Sequence, residues 1–568
     1  MKTKLLAIAI ITVSLVLAIS SFWNDSLIVD EIPHVGSGYS YVKALDYRLN
    51  PEHPPLAKAL ATLPLLFLNL TQDAFQTKFW LQDINGQWDF GRFFIFQSGN
   101  NAELITKVVK FPMLLFFIFS AILIYKWTKK LYGNFAALTA LTLFSFSPTV
   151  ITHSRFVTTD VPALFGILLA TFFFIKYLDA PTKKNTWLAG LAFGIAILTK
   201  FSTFLIVPYF LILALIKNKN KLLGTILIFI IGFVFIVWPI YSVFTLNYPP
   251  ERQRADTEFI LGSFGNRTLA DLTAFMADKS IIRGLGEYAL GLLMVGQRAV
   301  GGNTTYFLGE VSAAGSRYYF PVVYALKEPL AWWVFVVIAL LYLAWQIKKP
   351  SSVRRFGLSI KEFLKNHFVE FAMLLWLAIY WTTSIKSNLN IGVRHLLPTY
   401  PFAIILVSGQ LARLRHKIKY FVPIVAFLLA WYVAENLRVW PYYLTYFNQL
   451  AGGPTGGYRY VVDSNLDWGQ DLKRLSQWVE ENKVDKIHLD YFGWSDPVYY
   501  LGPKFQWLTA GQYKNAQDFI QKTGGGHIAV SATFFMGSRG NPETSYIWLQ
   551  SYEPEIIIGN SIWVWKLK

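Results

Sequence analysis

The sequence predicts a polytopic α-helical membrane protein with about eleven transmembrane helices and a C-terminal extracytoplasmic α/β domain. Three observations predict it. Of the 568 residues, 54% are hydrophobic and only 15% charged, and the mean hydropathy of +0.38 is high for a soluble globule. Apolar runs long enough for a hydrocarbon core of roughly 30 Å recur along most of the chain. From about residue 438 they stop, and Gly, Asp and Gln become frequent.

The runs begin near residues 5, 109, 135, 161, 222, 329, 368, 396 and 420. The stretch 187–216 reads either as one bent helix or as two short passes meeting at "LTKFS" (198–202). Charge decides. Lys183 and Lys184 precede it and Lys217, Lys219 and Lys221 follow it, so the positive-inside rule places both ends in the cytoplasm, which takes two passes. The first pass is short and needs its outer end sheltered in the bundle. With a cytoplasmic N-terminus, the remaining basic clusters also fall inside: Lys126/Lys129/Lys130, Lys348/Lys349/Arg354/Arg355/Lys361/Lys365 and Arg413/Arg415/Lys417/Lys419. The membrane domain is 1–437, with outer loops 23–106 and 246–327, and the soluble domain is 438–568. A plasma-membrane location follows. Lys2 and Lys4 followed by a short apolar core and "AIS" (18–20) also resemble a cleavable signal peptide.

The net charge of +18 lies in clusters between apolar runs; topology accounts for it, and no nucleic-acid partner is expected. Cysteine is absent, which excludes disulfides and thiolate chemistry. The twenty Trp and thirty Tyr suit interfacial belts. In the tail, "YRYVVDS" (458–464), "KIHLDYFG" (486–493), "HIAVSATF" (527–534) and "SIWVWKL" (561–567) read as strands, and "GQDLKRLSQWVEEN" (469–482) as a helix.

This topology gathers distant residues on one side. Asp30 and Glu31 follow span 1, "EHPPLAK" (52–58) lies in the first outer loop, and "THSRFVTTDVP" (152–162) joins spans 3 and 4. Lys200 caps the short hairpin, and "KSNLNIGVRHLLP" (386–398) joins spans 9 and 10. Ionisable groups at membrane depth are costly and face a cavity or each other. Such a set suits a sugar carried on a polyprenyl phosphate: Asp30 or Glu31 as base for an acceptor hydroxyl, and Arg155, Lys200 and Arg394 as cations for the phosphate. A divalent cation is the other route to neutralisation, with Asp30, Glu52, His53, His153, Asp160 and His395 as candidate ligands. Each residue also has a plain reading. Asp160 before Val161-Pro162 is a good helix N-cap, Lys200 could snorkel, and "HPP" is a rigid turn. In "VVDSNLDWGQDLKRL" (461–475), Asp463-Ser464-Asn465 could bind a polar ligand at a strand's end; the plainer reading has Asp467 capping a helix at Trp468 and Asn465 and Gly469 making the turn. Trp494, Tyr499 and Tyr500 are candidate carbohydrate contacts. A transporter or lipid flippase is the competing class, and it would need charged groups in both halves of the membrane.

The order Asp30-Glu31, His53-Pro54-Pro55-Leu56-x-Lys58 and Ser154-Arg155 with Asp160 resembles the protein O-mannosyltransferases and their bacterial relatives, glycosyltransferases of the C type (GT-C). "GNTTYFLGEVSAAGSRYYFPVVYALKEPL" (302–330) and "NIGVRHLLPTYPF" (390–402) are similar to segments of the bacterial members. The resemblance spans about residues 20–440. It implies a GT-C-like fold and an inverting transfer from a polyprenyl-phosphate sugar to a lipid, glycan or protein acceptor on the extracytoplasmic side. It also implies Asp30 as catalytic base with Glu31 supporting, and Arg155, Lys200, Arg394, His395, His53 and Lys58 about the donor, with Asp160 and Glu52 in support. The lipid A aminoarabinose transferases carry Glu-Lys-Pro-Pro where this chain has Glu52-His53-Pro54-Pro55, which counts against aminoarabinose. The loop 246–327 is too short for the β-trefoil of the eukaryotic enzymes, which counts against protein Ser/Thr as acceptor.

Overall fold

A computed structural model describes residues 2–347, 362 and 364–568; Lys348, Lys349, Arg354, Arg355 and Lys361 of the expected basic cluster lie outside the described residues. By length and composition, seven helical segments are able to cross a bilayer: Lys2–Ser21, Ala102–Ser145, Asp160–Asp179, Lys219–Phe244, Phe368–Lys386, Val393–Leu414 and Phe421–Val439. The pair Tyr319–Lys327 and Leu330–Gln346, bent by 110°, makes an eighth. The long segment divides at Gly133, whose φ of 83° and ψ of −175° lie outside helical space and suit a residue without Cβ. Among the described residues seven segments, or eight with the bent pair, thus meet that length and composition where about eleven spans are expected; shorter apolar helices are Leu56–Phe67 and Phe201–Lys217, and Lys183–Ile197 is a further short helix.

The short helix Lys183–Ile197 is tolerated because small residues let its neighbours close on it. A Cβ on Gly194 would lie 2.7 Å from the Gly232 carbonyl, and one on Gly232 2.8 Å from the Gly190 carbonyl. Such close backbone approach is how helices associate in lipid, where apolar burial supplies no net drive. Its end is sheltered as expected: the Leu198 carbonyl accepts from Leu56 N at 3.3 Å.

The connecting segments meet at one end of the bundle. Helices Glu31–Ala44, Leu56–Thr62 and Gln87–Arg92 come from the first loop, and Pro250–Ile260, Arg267–Ala277 and Arg283–Gly301 from the second. The second loop also forms a hairpin of β1 (Thr305–Phe307) and β2 (Glu310–Ser312).

The tail carries a five-stranded mixed sheet of β3 (Ile487–Asp490), β4 (Phe505–Trp507), β5 (Gly526–Ser531), β6 (Ile556–Ile558) and β7 (Ile562–Leu567), in the order β4-β3-β5-β7-β6. β3 runs parallel to β4 and β5, whereas β7 is antiparallel to β5 and β6. Helix Leu472–Glu481 places Leu472, Leu475 and Val479 on one stripe against Ile487, Leu489 and Ala529.

Two expectations are corrected here. "YRYVVDS" is not a strand of the sheet: it forms tight turns at Gly457–Arg459 and Asp463–Asn465 and bridges only Phe307 through Val461. Asp463 at φ 58° cannot continue an extended chain. Asp467 is no helix cap either; the helix begins at Leu472, and Asp467 Oδ2 accepts from Thr533 N at 2.9 Å.

Candidate active site

A cavity of about 1050 Å³ opens where the loops, the tail and the helix ends meet. Asp30 lies on its wall, immediately before helix Glu31–Ala44, with its side chain 25% exposed. Arg394, buried in the tight turn Val393–Thr399, donates from Nη1 to Asp30 Oδ2 at 2.8 Å and to Asp160 Oδ2 at 3.4 Å. Lys200 donates from Nζ to Asp160 Oδ1 at 2.6 Å. The Arg394 guanidinium rests 4.0 Å from the Trp468 ring centre, which holds the planar fork in one orientation. Asp30, Arg394 and Lys200, from three separate segments, thus line the wall, with the buried Asp160 carboxylate behind them joining the two cations.

Of the other expected residues, His53, His395 and Glu52 line the same cavity. Burial holds His53 well below the usual imidazole range, so it offers hydrogen bonding without charge. Asp160 does not act as an N-cap: Thr159 holds that position, and the Asp160 carboxylate is spent on Lys200 and Arg394.

Four expected residues are placed elsewhere. Glu31 is fully buried; its carboxylate accepts from Ile28 N and Val157 N, both at 2.9 Å, and pairs with Lys110 at 3.4 Å. It braces the 155–159 turn against the first loop and does not face the cavity. One helical step of about 100° separates it from Asp30. Arg155 is sealed in an ion pair with Asp25, which Arg474 completes at 2.6 Å. Lys58 is fully buried and donates to the Asn50 side chain at 2.6 Å, the Tyr41 hydroxyl at 2.8 Å and the His53 carbonyl at 2.7 Å; it shapes the "EHPP" turn from behind. His153 packs edge-on to Phe156 and Trp468, and burial lowers it to about 3. Among the described residues no three His, Asp or Glu side chains are grouped closely enough to hold a metal ion.

Of the tail, sequence reasoning offered Asp463 and Trp494 as candidate ligand contacts, both of which line the cavity, and Tyr499 and Tyr500, which are not among its lining residues; it missed Trp468, Phe492 and Thr533. His34, Gln87, Trp88, Arg298 and Lys386 also line the cavity. The "VVDSNLDWGQD" motif was the available signal for Trp468, and its plainer reading hid it. Burial pushes Asp463 up to about 6, with Arg394 opposing.

The fold is that of an α-helical protein with several helices long and apolar enough to cross a bilayer. Residues 103–242, about a quarter of the chain, match the family model described as dolichyl-phosphate-mannose-protein mannosyltransferase. No curated protein matches the chain. Among solved structures it is similar to ArnT from Cupriavidus metallidurans bound to undecaprenyl phosphate, at 12% identity and TM-score 0.47, over 99% of this chain and 98% of that one. It is similar to the S. cerevisiae protein O-mannosyltransferase Pmt1-Pmt2 complex bound to the sugar donor, at 21% identity and TM-score 0.31, over 44% and 33%. The Archaeoglobus fulgidus oligosaccharyltransferase complex with Zn and sulfate gives 15% identity and TM-score 0.47, over 93% and 68%.

Proposed function

We propose that the protein is an inverting glycosyltransferase, moving a sugar from a polyprenyl-phosphate carrier to an acceptor hydroxyl on the extracytoplasmic side of the membrane. The observation that carries this reading is a partly exposed carboxylate, Asp30, paired with Arg394 on the wall of a cavity that Lys200, paired with Asp160, also lines. The acceptor oxygen attacks the anomeric carbon while its proton passes to the Asp30 carboxylate. The bond from that carbon to the phosphate oxygen breaks, and the electron pair leaves with the polyprenyl phosphate. Arg394 and Lys200 stabilise the charge that gathers there. The incoming phosphate competes with Asp30 for Arg394, so donor binding frees the base.

The transport alternative finds no support in the second large cavity. It measures about 1560 Å³ between helices Leu330–Ile347, Phe368–Lys386 and Tyr400–Leu414, and its lining is mostly apolar. Glu370 and Arg413 there are paired with each other at 2.8 Å. The test is transfer from labelled donor lipid in proteoliposomes. Folded Asp30→Asn is expected to lose about 10²–10⁴ of the rate, the usual worth of a general base; full activity would remove Asp30 from that role.

A further inference from the structure

We infer that the tail-facing wall of the cavity is an acceptor subsite for a pyranoside, so that the acceptor is a glycan or glycoconjugate. This rests on the transferase reading above and names its second substrate. The cavity has two unlike sides. Phe201, Phe204, Leu205, Leu292 and Val295 from the membrane helices and the second loop supply an apolar side, suited to a polyprenyl chain. The other side is built by the first loop and the tail, and it carries an indole pair beside a row of fixed polar groups.

The indoles are Trp88 and Trp494, both half-buried on the cavity wall, with ring centres 4.9 Å apart and planes 34° apart. Trp494 belongs to the loop after β3, at the carboxyl ends of the parallel strands, where α/β sheets commonly bind ligands. That loop is pinned at three points. Phe492 N donates to Ser531 Oγ at 3.0 Å, Ser495 Oγ to the Leu27 carbonyl at 2.9 Å, and Gln97 Nε2 to Asp496 Oδ2 at 2.7 Å. Arg92 backs the Trp494 ring from 5.5 Å. The plate is therefore rigid before anything binds, which removes an ordering cost. Beside it, Lys58 fixes Asn50, Asn50 donates to Gln87 Oε1, and Gln87 Nε2 donates to Glu52 Oε1 at 2.5 Å. Glu52 and Gln87 face the cavity with planar carboxylate and amide groups already oriented. A pyranose ring has an apolar C–H face that stacks on indole and a rim of vicinal hydroxyls that pair with such planar groups. A peptide or a bare acyl chain uses one half of this arrangement and leaves the other unmatched.

The test is saturation-transfer NMR on the full-length protein in nanodiscs with methyl hexopyranosides and simple disaccharides as probes. Wild type and Asp30→Asn should both transfer saturation to ring C–H protons. Trp494→Ala and Trp88→Ala, with melting temperatures unchanged, should weaken binding about tenfold, and Trp494→Phe should restore much of it. No saturation in wild type, or signals in both alanine variants equal to those of wild type, would overturn the subsite. The transferase reading fails separately: if no labelled sugar moves from donor lipid while indole-dependent binding persists, the chemistry is wrong and the subsite stands. If transfer proceeds with an acceptor KM insensitive to both substitutions, the subsite is wrong and the chemistry stands.

Discussion

Arg394 reaches the cavity with its fork resting on Trp468 and one nitrogen on Asp30, whereas Arg155 is closed off with Asp25 and Arg474. Both read from sequence as phosphate cations, because nothing local shows that Arg155's partner Asp25 arrives from the first loop, or that Asp25 is shared with Arg474, 449 positions further along the chain. Their substitutions should separate cleanly. Arg155→Met leaves Asp25 buried with half its compensation, a loss of about 3–5 kcal/mol of stability, measured as a lower melting temperature with donor affinity intact in the folded fraction. Arg394→Lys keeps the charge and loses the planar fork, so it should fold normally and lose about tenfold or more in kcat/KM for donor. Asp30 and Glu31 differ for a similarly non-local reason. Glu31 is claimed by backbone amides of its own turn and of Val157 and by Lys110, and only the fold shows that claim.

At the scale of elements, the turn Asp463–Asn465 acts as a clip on the segment that carries Arg394. Ser464 Oγ donates to the Ile391 carbonyl at 2.7 Å, and Asn465 Oδ1 accepts from Val393 N at 2.9 Å while its amide donates to the Tyr319 hydroxyl. Lys327 donates to the Asn465 carbonyl at 2.7 Å from the bent helix pair. Asn465→Ala should therefore lower kcat by about tenfold through a loosened Arg394, with steady-state kinetics as the readout and only a small change in melting temperature. The helices were legible because apolar length and flanking lysines are local properties. The clip was not, since Asn465 reads equally well as a turn residue until its partners at 319 and 393 are known. Asp467 gives a pH signature for the same region. Burial pushes it up to about 8 from 3.8, so between about pH 4 and pH 8 the unfolded chain holds fewer protons than the folded one, and stability falls as pH rises. Thermal unfolding at both ends of that window should show a decline in wild type that Asp467→Asn flattens; an equal decline in the variant would contradict the assignment.

For the whole molecule, the tail is part of the site as well as a domain in its own right. It meets the first loop through Val29 N on the Trp468 carbonyl at 2.9 Å and Lys473 on Glu103 at 2.5 Å, and it walls the cavity with Trp468 and Trp494. The composition shift at 438 is visible in sequence; the closure of tail onto loop is not, because it is carried by single hydrogen bonds and ion pairs between residues hundreds of positions apart. In the function proposed above, this closure assembles a transferase with Asp30 as its base. The most direct measurement is movement of radiolabelled sugar from polyprenyl phosphate to acceptor in proteoliposomes, wild type beside folded Asp30→Asn. Wild type is expected to transfer the sugar and the variant to lose about 10²–10⁴ of the rate. Equal transfer by both, or flux of intact donor lipid without covalent transfer, would contradict the proposed function.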